Sequence, residues 1–184
     1  MWALILGIVI FYGVHAVPSL NLKARLVAKW GEQPYMGAFS LVAALGLGLM
    51  IYGKSIAAFT QVWQPIDGAH WLPIVLMWPA SILIAWAYLP CNMKIKLRHP
   101  MLLGILLFSV SHLVANGDLG TILLVGSFGV FAVVNMLVVN RRNNRPEAKP
   151  KAMGWDLLGV VIGTVVYALV FDFHHIIVGV AIPV

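Results

Sequence analysis

The sequence predicts an all-α, polytopic membrane protein whose chain crosses a bilayer six times. Three observations lead there. The 184-residue chain is 61% hydrophobic and only 10% charged, against roughly 25% charge in a water-soluble domain, so it has too few polar groups to cover a wet surface. Six apolar runs are long enough, or nearly so, to cross about 30 Å of hydrocarbon. Basic residues then gather in every second loop between those runs. Backbone groups in lipid must find partners within their own segment, which makes the runs helices. The strict alternation that a membrane barrel needs is absent. At this length a single membrane domain, residues 1–184, is expected.

The first run, Trp2–Val17, stands in "MWALILGIVIFYGVHAVPSL". It lacks the basic stretch that opens a signal peptide and is expected to be a retained spanning helix. Next comes "SLNLKARLVAKWGEQPY", where Leu20, Leu22, Leu26, Val27 and Trp30 mix with Lys23, Arg25 and Lys29. Two readings stand side by side: a short interfacial helix on an anionic leaflet, or a loop whose long basic side chains snorkel. The second run is Tyr35–Tyr52. A long loop follows, in which Tyr52, Trp63 and Trp71 suit an aromatic belt at the membrane edge. The third run is Leu72–Tyr88, and the loop after it holds Lys94, Lys96 and Arg98. The fourth, Met101–Ala115, is short and opens at His99-Pro100, where Pro is well placed in a first helical turn. The fifth is Leu119–Val139. After it "NRRNNRPEAKPK" reads as a polar, mobile loop, and the sixth run is Leu157–Ile177.

The loops after the first, third and fifth runs carry every Lys and Arg except Lys54: Lys23, Arg25, Lys29; Lys94, Lys96, Arg98; Arg141, Arg142, Arg145, Lys149, Lys151. That asymmetry puts these loops in the cytoplasm and both termini outside. It also explains the net charge of +6 without nucleic acid: the charges flank apolar runs. The single cysteine, Cys91, rules out an internal disulfide and a Cys-rich metal site. No Ser-His-Asp order, phosphate-binding Gly loop or HExxH occurs.

The histidines carry the remaining chemistry. His99 and His112 are separated by about 19 Å of rise and roughly 140° of rotation on one helix, so they cannot meet on one metal. His99, with Arg98, reads as a helix start in the headgroup zone or one wall of an anion site. His112 lies deep in its run, and Ser109 and Asn116, three and four residues away, share its face. Such a stripe must face protein, water or a ligand. His112 is therefore either a metal ligand or a hydrogen-bonding contact between helices. His15, a turn before Pro18, is a second intramembrane candidate, and Gly13 beside it would admit a flat group. Asp172 could orient His174 or His175 near the end of the sixth run. His70, beside Trp71, reads as interfacial.

"LRHPMLLG…SHLVANGDL", with "GVHAVPSL" before it, "GEQPYMGAFSLVA" and the closing "HHIIVGV", resembles the NnrU family of bacterial inner-membrane proteins over nearly the whole chain. The resemblance implies a place in the bacterial inner membrane, with both termini periplasmic, and a link to denitrification. A distantly similar enzyme, the plant zeta-carotene isomerase, binds haem b through two histidines. Carried over, that implies haem b held by His15 and His112 as axial ligands, with His174 or His175 as substitute partners. Ser109 and Asn116 would line the pocket, and Arg98, His99 and Lys96 would meet haem propionates or lipid phosphates. Ser109 stands where the isomerase has a cysteine, so a switch to a thiolate ligand is not available there. The R-H-P motif also resembles isoprenylcysteine and phospholipid methyltransferases. Their acidic Glu-Glu segment is missing, since the loop after the fifth run holds only Glu147. Three functional classes follow. One is a haem protein serving nitrogen-oxide respiration. Another is a haem-dependent isomerase acting on an apolar small molecule from the bilayer. The third is a scaffold or transporter without cofactor.

Overall fold

A computed structural model of the chain describes residues 1–141 and 149–178. Arg142, Arg145 and Glu147 of the loop read as mobile lie outside the described residues, as does the end of the closing "HHIIVGV" segment. The described helices are α1 (Trp2–Ser19), α2 (Lys23–Trp30), α3 (Glu32–Ser55), α4 (Trp71–Tyr88), α5 (Asn92–Leu97), α6 (Pro100–Ala115), α7 (Leu119–Arg141) and α8 (Gly154–Val178). All six apolar runs are helices. Their ends fall within three residues of the expected ones, because the helices continue into polar residues such as Glu32, Lys54 and Arg141. Among the described residues there is no strand, only an isolated antiparallel bridge between Gln61 and Asp118.

By length and composition α3, α4, α7 and α8 can cross a membrane. The 16 residues of α6 reach about 24 Å and the 18 of α1 about 27 Å. Between α1 and α2 the chain bends by 85°, so the segment with two sequence readings forms a helix. Val9, Leu41, Ile51, Val75 and Val161 stand exposed on the long helices, which suits a surface solvated by lipid.

The chain forms two compact units. The first comprises residues 1–63 with 118–127, and the second 64–117 with 128–184. In the first unit, α1 packs on α3 at van der Waals distance because glycines remove the side chains between them. A Cβ on Gly46 would stand 2.7 Å from the Phe11 nitrogen, and one on Gly7 would stand 2.5 Å from that of Met50. Gly53 lies equally tight on Leu4. Gly46, Met50 and Gly53 share one stripe of α3, and Leu4, Gly7 and Phe11 share one stripe of α1. Without a hydrophobic force between helices in lipid, such close packing supplies the attraction.

In the second unit, α4 carries α6 on one flank and α8 on another. Gly104 of α6 rests on the Ala80 carbonyl, and Gly163 of α8 rests on the backbone of Ile82. Polar links reinforce the α4–α8 contact. Trp78 Nε1 donates to Thr164 Oγ1 (3.0 Å), Tyr167 Oη to the Ile74 carbonyl (2.9 Å), and Trp86 Nε1 to the Asp156 carbonyl (2.9 Å). The Asp156 carboxylate accepts from Asn92 Nδ2 (2.7 Å) and from the Met93 N–H (2.9 Å), capping the first turn of α5 from α8.

Candidate functional site

His15 of α1 and His112 of α6 repeat one local arrangement. In α1 the His15 Nδ1 lies 2.7 Å from the carbonyl of Phe11. The Phe11 ring lies 4.2 Å from the imidazole, tilted by 33°. In α6 the His112 Nδ1 lies 2.9 Å from the carbonyl of Phe108, with the Phe108 ring 4.4 Å away at 44°. Both are Phe-x-x-x-His, with the histidine one turn after the phenylalanine. A carbonyl oxygen only accepts, so Nδ1 carries the proton in both rings. The neutral imidazole then keeps its lone pair on Nε2, the state in which histidine binds a metal.

Each histidine has its own support. Phe39 of α3 meets His15 edge-on at 5.1 Å. The Gly46 contact fixes the backbone of Phe11, whose carbonyl in turn orients the ring. A Cβ on Gly13 would meet nothing within 4 Å, and Gly13, two residues before His15, is exposed on another face of α1. Around His112, Ser111 is fully buried. Its hydroxyl donates to the same Phe108 carbonyl (3.1 Å) and lies 3.4 Å from the His112 Nδ1. Sequence reasoning missed Ser111, since it lies off the stripe of four-residue spacings.

The other expected site residues have particular positions. Ser109 is 1% exposed, packs against Gly129 of α7, and its hydroxyl has no hydrogen-bond partner among the described residues. Asn116 stands just beyond α6 in extended conformation and turns its amide back onto the His112 carbonyl (2.9 Å), closing the helix end that carries the histidine. Arg98, at φ 60°, donates from Nη2 to the Val139 carbonyl (3.2 Å), and His99 Nε2 lies 2.9 Å from Asn140 Oδ1. Both therefore clasp the last turn of α7, where a cation also meets the negative end of the helix dipole. Lys96 is exposed on α5. On α8, His174 is half-buried, and Asp172 and His175 are exposed. His70 stacks loosely on Trp71 at 5.4 Å. Among the described residues no three His, Cys, Asp or Glu side chains gather to hold a metal ion. A bis-histidine haem does not require such a group, since its iron takes its other four ligands from the porphyrin.

Sequence reasoning also missed an ion pair in the first unit. Lys54, the one base outside the three basic loops, donates to Asp118 Oδ1 at 2.6 Å. The same oxygen accepts the Thr121 N–H at 3.0 Å, so Asp118 is the N-cap of α7. The Leu119 N–H reaches the Thr60 carbonyl at 2.8 Å. Burial pushes the Asp118 carboxyl up, but the Lys54 ammonium and the Thr121 hydroxyl and N–H together hold it below the usual carboxylate range. The available signal was Lys54, the single base outside the three basic loops, and the acid of the N-G-D motif.

Comparison with curated proteins and with solved structures finds no match. The family model described as NnrU protein matches residues 3–182, and with nearly its whole length covered, the chain belongs to the NnrU family.

Proposed function

We propose that the chain is a haem b protein of the bacterial inner membrane, with His15 and His112 as axial ligands. In this reading all six apolar helices span, and both termini are periplasmic. One observation carries it. In each unit, by itself, a half-buried histidine has its Nδ1 proton committed to the carbonyl one turn back, which prepares Nε2 to bind iron. The donor set, two neutral imidazoles beside the rings of Phe11 and Phe108, would suit haem b. When bound, haem would supply one-electron chemistry at iron, tuned by ligand identity and burial.

The chain's own residues do the rest. Phe11 and Phe108 orient the imidazoles. Ser111 shares the Phe108 carbonyl and limits rotation of the His112 ring. Asn116 ties down the end of α6. The nitrogen-oxide link comes with the family, and an iron between two histidines suits electron transfer or sensing.

The test is an absorption spectrum of protein purified in mild detergent from haem-supplemented cells. Wild type should show a low-spin Soret band. His112→Ala and His15→Ala should each lose it or turn high-spin. A colourless wild type overturns the haem reading. An alanine variant with an unchanged low-spin spectrum overturns that ligand.

A further inference from the structure

The expected propionate partners Arg98 and His99 are engaged on the end of α7, which raises the question of what else in the chain could meet an anionic group. In the first unit, Tyr35 opens the second turn of α3 and is 4% exposed. Its hydroxyl is buried and has no hydrogen-bond partner among the described residues. An unpaired buried hydroxyl is costly, and its pairing calls for an acceptor from outside the described residues. The ammonium of Lys23 lies 5.9 Å over the Tyr35 ring and brings positive charge beside it.

Lys23 is the first residue of α2, and Leu22 before it offers no side-chain cap. The first N–H groups of α2 therefore add to the positive potential around that ammonium. Tyr35 also adjoins the histidine. Its ring lies 6.2 Å from Phe39, one turn along the same face of α3, and Phe39 lies 5.1 Å from His15. A hydroxyl donor, an ammonium and an uncapped helix start thus stand at the basic end of the α1–α3 pair, two ring contacts from His15.

We infer that Tyr35 and Lys23 form an oxyanion site for a carboxylate or phosphate attached to an apolar body, and that its occupant is a propionate of the haem bound by His15. The second part rests on the proposed function. The Tyr35 hydroxyl donates one hydrogen bond to the anionic oxygen, and the Lys23 ammonium supplies the countercharge.

The test compares haem b with its dimethyl ester, which keeps the porphyrin and removes both carboxylate charges. Each is titrated into the ligand-free full chain in detergent. Wild type should prefer haem b over the ester by about tenfold or more, the size of a hydrogen bond to a charged group. Tyr35→Phe and Lys23→Gln should each shrink that preference, and the double variant should abolish it. Tyr35→Phe should also leave ligand-free protein as heat-resistant as wild type or more so, because it removes only an unpaired hydroxyl. A purely structural tyrosine would instead lower the unfolding temperature and leave the preference unchanged, and that result overturns the inference.

If wild type binds neither porphyrin through histidine, the haem reading has failed separately. The oxyanion site is then read by native mass spectrometry as retention of phosphatidylglycerol over the phosphate-free diacylglycerol. Tyr35→Phe must lower that retention, with phosphate as the occupant in place of propionate, or the oxyanion site itself is overturned.

Discussion

Asp118 serves α7 in two ways, and two substitutions separate them. Its carboxylate caps the helix through the Thr121 N–H and pairs with Lys54 at 2.6 Å. Asp118→Asn keeps an acceptor for the cap and loses the charge, whereas Asp118→Ala loses both. A cap is worth about 1 kcal/mol. The pair lies between an exposed bridge, worth about 0.2–1 kcal/mol, and a buried one, whose breakage costs about 3–5 kcal/mol. Its side chains are 33% and 11% exposed, and the open lysine end discounts it to about 1–2 kcal/mol. At neutral pH Asp118→Asn should lower the unfolding temperature in detergent by about 2–8 °C at 2–4 °C per kcal/mol, and Asp118→Ala by more.

The pH dependence has a definite sign. The folded carboxyl is held below its ordinary range, so its stabilisation is complete above the unfolded value near ~3.9. It disappears as pH falls through the lower folded value. Wild type and Asp118→Asn should differ by a constant amount from about pH 6 upward, and the gap should shrink steadily as pH falls below ~3.9. A gap that does not shrink on acidification refutes the ion-pair reasoning, as does an Asn variant matching wild type at neutral pH.

Gly163→Ala would set a Cβ 2.5 Å from the Ile82 Cα, so α8 must move off α4; the expected cost is about 1–3 kcal/mol, read as a lower unfolding temperature. Gly48→Ala, with nothing within 4 Å, should be neutral or gain up to about 1 kcal/mol from helix propensity, and equal losses in the two variants would refute the glycine packing. Topology is checked in a Cys91→Ala background: an impermeant maleimide on whole cells with a permeable outer membrane should label Gln61→Cys and spare Lys29→Cys until the inner membrane is opened, and the reverse pattern would invert the proposed orientation.

The helices were legible because lipid imposes a simple rule. An apolar run must satisfy its own backbone, so run length and charge placement suffice to find α1, α3, α4, α6, α7 and α8. The short helices were harder to see. α2 had two readings because its eight residues mix leucines with bases, a pattern that also suits a snorkelling loop. The six residues of α5 carry no apolar run, and a carboxylate from distant Asp156 caps their first turn. Nothing local announces such a partner. The same holds for Lys54 with Asp118, 64 residues apart, and for Arg98 with Val139, 41 residues apart.

Four-residue spacing on a helix was used to group Ser109, His112 and Asn116 as one polar stripe, and the same rule applies to aromatic neighbours. A side chain one turn N-terminal to a histidine lies against the ring, and its carbonyl lies within reach of Nδ1. Applied to Phe11, Phe108 and Phe171, the rule narrows the six histidines to His15, His112 and His175 without any appeal to resemblance. His99, His174 and His175 have Ile95, Val170 and Phe171 in that place, so the spacing alone would have kept His175 as a third candidate. Exposure separates them: His175 is exposed near the end of α8, whereas His15 and His112 are half-buried. The sequence therefore held the tautomer argument in two short motifs, and burial was the part that only the packed helices could supply.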